Sequence, residues 1–470
     1  MDTRQQLQRL EQFVASTSPA VFVRRADSLL MIRPDKTMKL NHSAAEILAE
    51  LYRRERPPLG QALPRLAARL RVSPERLLAD TGKLLEAVGA VLNEDFTPRP
   101  ALAFGDFDRG LVKYPTLAEI ALTYGCQNRC RFCYAESPGR PRRRPLMNTA
   151  QVKLVIDKIF GQAHVPSLSF TGGEPTLRAD LPELISHAVA RGLRVNLISN
   201  GIRAGNPDYA TRLVEAGLHS AQISLEAATA GLHDRLVGRQ GAWRLTVAGV
   251  GNFQRRGIHV HTNTTLCAEN LAHAPEIIRF VARELGLKTM SMNMVIRTGS
   301  ALAQRQLAVS YRQVAGHLPG LVELARREGV RLVWYSPIPY CLFNPVLHGL
   351  GAKSCACVDG ILSVDPSGQV LPCSSFEQGI GSLLKRSFAS IWRSRRARYW
   401  RDKKFLPPVC RHCDDADVCG GACPLYWDAA GSFAELPRPG SGDERARRRW
   451  EKGRRRSGTF GVRPRATGEA

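Results

Sequence analysis

The chain has 470 residues, 44% of them hydrophobic, and a formal net charge of +25, long enough for two to four core-forming units. No run of about eighteen apolar residues occurs and the polar N-terminus lacks the apolar stretch of a signal peptide, so neither membrane nor secretion is expected. The twelve cysteines therefore read as metal ligands in a reducing cytoplasm rather than as a disulfide framework.

The charge is mostly arginine scattered along the chain, which reads as a solvated surface more readily than as a footprint for an acidic partner. Residues 438–470 hold eleven Lys/Arg against four Asp/Glu. Beyond Trp427 the chain is rich in Pro, Gly and Arg with little periodic apolar content, and residues 431–470 read as a basic, disordered tail.

Residues 1–95 suggest a winged-helix unit. Val21-Phe22-Val23 and Leu29-Leu30-Met31-Ile32 are short apolar runs split by polar residues, as in a hairpin. Asn41 and Ser43 are capping candidates for a helix with Ala45, Ile47, Leu48 and Leu51 facing inward. Helices near 59–71 and 74–88 follow, the second with Ser73 as cap and Pro74 at its start. Leu40-Asn41 with Ala44-Ala45 and Ile47-Leu48 resembles the peptide-chaperone domain of pyrroloquinoline quinone biosynthesis (PqqD-like). The resemblance implies that a leader peptide adds as a strand to the hairpin edge, backbone bonds giving affinity and side-chain pockets selectivity. A DNA-binding winged helix and a plain structural cap are the alternatives. Against nucleic acid, the helix after Pro74 carries Arg76 and Lys83 against Glu75, Asp80 and Glu86, the wrong balance for phosphates.

Residues 96–114 read as a linker. From Pro115 to about 335, short apolar runs alternate with longer helical ones, the pattern of an α/β fold with a parallel sheet. Strands are expected near 117–123, 167–171, 194–199, 220–225, 258–265 and 289–296. Just past the first stand Cys126, Cys130 and Cys133, spaced Cys-x3-Cys-x2-Cys. Three thiolates on one short loop ligate three irons of a 4Fe-4S cluster and leave the fourth open to chemistry. Structural zinc wants four closed ligands. The arginine run Arg140, Arg142, Arg143 and Arg144 behind this loop reads as a solvated loop or as steering for an acidic peptide.

Those cysteines, followed by Tyr134 and later by Thr171-Gly172-Gly173-Glu174-Pro175, resemble the radical S-adenosylmethionine (SAM) enzymes. The resemblance implies a partial (β/α)6 TIM-like barrel and a fourth iron that chelates SAM through its amino and carboxylate groups. It also places the Gly172-Gly173-Glu174 turn at the amino group. Glycines admit close backbone approach and Glu174 offers a carboxylate to an ammonium. Tyr134, Ser199, Asn200, Ser224 and Asn263 are the further candidate SAM contacts, with Glu226 standing where the family often has Asp. His259 and His261 share a strand face with Asn263 and read as hydrogen-bonded interior residues, and Cys267 as a buried apolar one.

Residues 336–430 hold a second cysteine field: Cys341, Cys355, Cys357, Cys373, Cys410, Cys413, Cys419 and Cys423. Gly368 to Cys373 gives Gly-x4-Cys and the last four give Cys-x2-Cys-x5-Cys-x3-Cys. This resembles the SPASM extension, which implies two auxiliary 4Fe-4S clusters. By resemblance, Cys410, Cys413 and Cys419 serve the second cluster, and Cys423 returns to the first with Cys373. The usual trailing cysteine is missing here, and the division of Cys341, Cys355 and Cys357 stays open. The expected function is reductive cleavage of SAM to a 5′-deoxyadenosyl radical that modifies a leader-bound ribosomal precursor peptide, fed by a flavodoxin- or ferredoxin-type electron donor. Maturation of a cofactor, porphyrin or enzyme side chain is the alternative within the class. An iron-sulfur, redox-sensing, nucleic-acid-binding regulator is the alternative outside it.

Overall fold

The computed structural model describes residues 3–32, 36–53, 55–93, 95, 112–137 and 145–437. The arginine run at 140–144, most of the expected linker and residues 438–470 lie outside them. Two compact units divide the chain, Met1–Tyr114 and Pro115–Ala470.

In the first unit, α1 (Thr3–Thr17) precedes strands β1 (Val21–Arg24), β2 (Leu29–Ile32) and β3 (Lys36–Lys39), then α2 (His42–Leu51), α3 (Leu59–Leu70) and α4 (Pro74–Leu92). The expected hairpin is thus two strands of an antiparallel three-stranded sheet ordered β1-β2-β3. β3 escaped the sequence reading because Lys-Thr-Met-Lys offers one apolar side chain. Asn41 caps α2 by accepting the Ala44 N–H at 2.8 Å, and Ser73 caps α4 ahead of Pro74. The core gathers Leu30, Leu48, Leu66 and Val88. A buried ion pair, Arg24 Nε to Asp27 Oδ1 at 2.8 Å, closes the β1–β2 turn, and Asp27 Oδ2 also accepts the Lys113 N–H at 3.0 Å.

In the second unit strands and helices alternate: β4 (Leu117–Thr123), α5 (Thr149–Gly161), β5 (Ser167–Gly172), α6 (Leu181–Arg191), β6 (Arg194–Ser199), α7 (Pro207–Glu215) and β7 (Ser220–Ser224). Then come α8 (Ala230–Val237), α9 (Ala242–Gln254), β8 (His259–Leu266), α10 (Ala274–Arg283), β9 (Thr289–Met294), α11 (Tyr311–Arg327) and β10 (Arg331–Trp334). The cysteine-rich part adds β11 (Ile361–Val364), β12 (Gln369–Leu371), β13 (Gly381–Ser382) and the short helices α12 (Phe388–Trp392), α13 (Arg395–Arg401), α14 (Ala416–Cys419) and α15 (Pro424–Ala430).

All ten strands join one sheet ordered β10-β9-β8-β7-β6-β5-β4-β11-β12-β13. Adjacent strands from β4 to β10 pair in parallel. The six-strand expectation is corrected to seven, β10 being a four-residue run too short to stand out. β11 then pairs in parallel with the free side of β4, so the cysteine-rich hairpin continues the barrel sheet. Alternate residues face the helices, such as Val195 and Leu197, both fully buried. The opposite face is polar: Glu119, Ser169, Asn196 and Ser220 stand in register across four strands. No helix among the described residues is long and apolar enough to cross a membrane.

Candidate active site

Cys126, Cys130 and Cys133 follow the carboxyl end of β4, where parallel sheets gather ligands. Backbone bonds hold their loop from several sides. The Arg129 and Arg131 N–H groups donate to Val237 and Leu236 carbonyls at 2.9 and 3.1 Å, and the Ser300 N–H donates to the Cys133 carbonyl at 2.9 Å. Gly238 and Gly299 both have positive φ, and a Cβ would stand 2.5 Å from the Arg129 oxygen and 2.3 Å from the Cys133 oxygen respectively. Neither glycine was singled out from the sequence, because only the tertiary approach of remote loops demands them.

The three thiols converge. Burial pushes the Cys126 thiol up to about 11, and nearby Glu174 and Cys133 add to this by repulsion. Cys130 is raised by burial, then by Cys133, Glu226 and Cys126. Thiolates crowded this way resist ionising without a cation, a donor set that fits an iron cluster. Asn128 N–H and Asn200 Nδ2 reach the Cys126 sulfur at 3.4 and 3.8 Å, and the Ser137 N–H reaches that of Cys133 at 3.5 Å.

The Gly172-Gly173-Glu174 turn packs against this loop. A Cβ on Gly172, at φ +132, would stand 2.2 Å from the Thr123 oxygen, and one on Gly173 would stand 2.4 Å from that of Gly125. The Gly173 and Glu174 N–H groups bond to those carbonyls at 2.7 and 2.9 Å, and Tyr134 Oη donates to the Gly172 carbonyl at 3.5 Å. Glu174 follows the two glycines. It is fully buried, and its Oε1 accepts Thr176 N–H, Thr176 Oγ1 and Ser199 Oγ at 3.0, 2.6 and 2.9 Å. Its Oε2 accepts the Asn200 N–H at 2.8 Å. The carboxylate ties the ends of β5 and β6 together, its ionisation resisted by burial despite these donors. Asn200 in turn accepts from Gln127 Nε2 at 3.2 Å, linking β6 to the cysteine loop.

Ser224 and Asn263 are register partners on β7 and β8. Asn263 is tied to side chains rather than to backbone, giving its Nδ2 to Asn293 at 2.9 Å and accepting from Ser291 Oγ at 2.9 Å. His261 bonds Gln222 at 3.1 Å, whereas His259 is exposed. Cys267 is buried as expected. Glu226 is buried, its Oε2 accepting the Thr265 N–H at 2.8 Å, and burial pushes its carboxyl up to about 8. The sequence reading also passed over Glu119. It accepts Ser363 Oγ from β11 at 2.6 Å and lines a small cleft together with Tyr134, Thr171 and Ser374. A charged residue inside the apolar run Leu117–Thr123 was the available signal.

The second field falls into distinct neighbourhoods. The thiols of Cys355 and Cys357 influence each other, as do those of Cys357 and Cys373, while the thiol of Cys423, raised by burial, feels the charge of Cys355 and Cys373. Lys403, nearly fully buried, bonds the Cys355 carbonyl and lies 3.1 Å from Asp359. Cys410, Cys413 and Cys419 cluster across a short turn and α14: burial pushes Cys410 up to about 12, with Cys419, Cys341 and Cys413 adding repulsion. Among the described residues no three His, Cys, Asp or Glu side chains lie close enough to share a single ion. A 4Fe-4S cube spreads its thiolates over separate irons.

A polar-faced parallel barrel with three thiols on the loop after its first strand defines a class, and sequence comparison agrees with it. Residues 120–281 match the Radical SAM superfamily and residues 355–414 match the SPASM iron-sulfur cluster-binding domain. The chain is 30% identical over 343 residues to the AdoMet-dependent heme synthase of Oleidesulfovibrio alaskensis, covering 67% of this chain and 84% of that protein. It is 29% identical over 322 residues to the PqqA peptide cyclase of Xanthomonas euvesicatoria, covering 66% and 82% respectively. In fold it is similar to Streptococcus suis SuiB bound to precursor peptide SuiA, with a TM-score of 0.64 at 13% identity, over 86% of this chain and 94% of that one. The chain belongs to the radical SAM superfamily. It is an enzyme with an added SPASM domain, and its cofactors are S-adenosylmethionine and 4Fe-4S clusters.

Proposed function

We propose that the enzyme modifies a ribosomal precursor peptide, gripping the leader with the N-terminal unit and reacting the core peptide at the barrel mouth. The observation that carries this is the three-stranded sheet of the first unit. β1 and β3 each pair on one side only among the described residues, so both offer an edge for strand addition. β2, which includes Ile32, is paired on both sides and is not available. Similarity to a peptide cyclase and to a fold seen with a precursor peptide supports the same reading. The share covered by SuiB exceeds what residues 115–470 alone could supply, so the likeness reaches into the N-terminal unit.

Cys126, Cys130 and Cys133 would hold the SAM-binding cluster, and Cys355, Cys357, Cys373 and Cys423 one auxiliary cluster. Bound there, cluster and SAM together supply a 5′-deoxyadenosyl radical. The chain's own residues fix the geometry. Gly172 and Gly173 let the β5 turn approach the cysteine loop, Asn200 braces Cys126, and the Ser224, Asn263 and Gln222 face offers polar contacts for SAM and substrate. Maturation of a haem precursor is the second reading, favoured by the 30% identity to a heme synthase. The test compares 5′-deoxyadenosine release by the full chain with intact precursor, leaderless precursor and a haem precursor. Intact precursor alone should stimulate release and be altered in mass. Stimulation by the haem precursor alone would overturn the peptide reading.

A further inference from the structure

The Cys410, Cys413 and Cys419 group has three thiols, and residues 424–470 contain no cysteine. A group with three thiolates would leave one iron open, either to water or to a substrate donor. The fold brings a fourth cysteine to it from far upstream. The segment leading out of β10 runs against α14: the Tyr340 N–H donates to the Cys419 sulfur at 3.5 Å, and the Cys419 thiol reaches the Ile338 carbonyl at 3.9 Å. A tight turn follows at once, with Leu342 and Phe343 N–H groups returning to the Pro339 carbonyl at 2.9 and 3.1 Å. The Tyr340 hydroxyl, accepting the Lys353 N–H at 2.9 Å, pins the turn from its other side. Cys341 sits at its tip. Its thiol lies near enough to those of Cys419 and Cys413 to feel their charge. Solvent nevertheless reaches Cys341, an exposure that a purely structural apolar residue would not need.

We propose that Cys341 supplies the fourth thiolate of the Cys410, Cys413 and Cys419 group, in place of a cysteine downstream. The eight cysteines then divide four and four, Cys355, Cys357, Cys373 and Cys423 forming the other set. Neither auxiliary group retains an open iron, so the substrate does not ligate iron in this domain. This rests on the radical SAM and SPASM reading of the second field.

The test uses the full chain, reconstituted anaerobically and carrying about twelve irons if three 4Fe-4S clusters are present. Iodoacetamide labelling followed by peptide mapping should leave Cys341 unmodified in the loaded enzyme and modify it once iron is stripped with oxidant and chelator. Labelling of Cys341 at equal rates in both forms overturns the inference while leaving the twelve irons, and the family reading, intact. Iron confined to about four atoms per chain would instead show that the auxiliary reading itself fails. As a second readout, Cys341→Ala should replace one reduced-state auxiliary spectrum by one that shifts on adding a small thiol, and Cys341→Ser should change that spectrum less. A thiol-insensitive Cys341→Ala spectrum identical to wild type also refutes the assignment.

Discussion

Gly299 offers a test of whether the cysteine loop is positioned by the loop after β9. A Cβ there would lie 2.3 Å from the Cys133 oxygen and 2.6 Å from the Tyr134 oxygen, while carbon-to-oxygen contacts normally stay near 3.3 Å or more. Gly299→Ala therefore forces the cysteine loop back by about 1 Å. Overpacking of this kind costs about 1–3 kcal/mol, and the left-handed backbone at φ +54 adds about 1–2 kcal/mol for a residue with a Cβ. A displacement of about 1 Å at a reacting centre costs about a hundredfold in rate. Release of 5′-deoxyadenosine should fall at least about tenfold, while the auxiliary-cluster spectrum is unchanged. Gly329→Ala is the control: its φ is +69 but open space surrounds it, so it carries the backbone strain without the clash and should retain full turnover. Should Gly299→Ala match Gly329→Ala in turnover, the positioning argument fails.

Replacing Cys126, Cys130 and Cys133 together by Ala should abolish 5′-deoxyadenosine formation yet leave the iron of residues 341–423 in place; residual product from the anaerobically reduced variant would contradict the assignment. His233 is buried, accepts the Glu226 N–H on Nδ1 at 3.1 Å, and is depressed by burial from its ordinary 6.5 to about 4. Its folded form binds fewer protons than its unfolded form, so the stability it contributes is present above pH 6.5 and is lost as pH falls toward 4, amounting to about 1 kcal/mol by pH 5.5. Chemical denaturation at pH 7 and 5.5 should show that loss reduced in His233→Gln, and equal losses in both proteins would refute it. On β1, successive N–H groups point to opposite sides, so of Phe22→Pro and Val23→Pro one should disrupt pairing with β2 and unfold more easily. The other should weaken precursor binding at unchanged stability. Unaltered peptide affinity in both, measured by titration calorimetry, would remove β1 as the docking edge.

The barrel strands were legible because helices cover one face only. Val195 and Leu197 alternate with Asn196 in a run long enough to show the period. β10 and β13 were not, since four residues and two residues carry no period, and α1 was missed because Thr3–Thr17 is largely polar. The motif cysteines declared themselves by spacing. Their surroundings did not: Gly238 and Gly299 matter through carbonyls more than a hundred positions away for each, and Cys341 belongs to a segment after β10 that meets Cys419 across about eighty positions. Glu174 shows a different limit. Its motif was read correctly as a local turn, but the donors that occupy its carboxylate come from Thr176, Ser199 and Asn200, and the last two lie on the next strand and the loop beyond it.

The pairing of β11 with β4 has a consequence for electron movement. β4 leads into Cys126, β11 lies beside it, and β12, next in the ladder, leads into Cys373. With neighbouring strands about 4.8 Å apart, β12 lies about 10 Å from β4. That interval is held by hydrogen-bonded ladders within one sheet. Loops and helices at the mouth can move for substrate entry without stretching it. Tunnelling between the iron groups of the two fields falls off steeply with separation, so its rate would be set by the sheet and stay constant through substrate entry and product release.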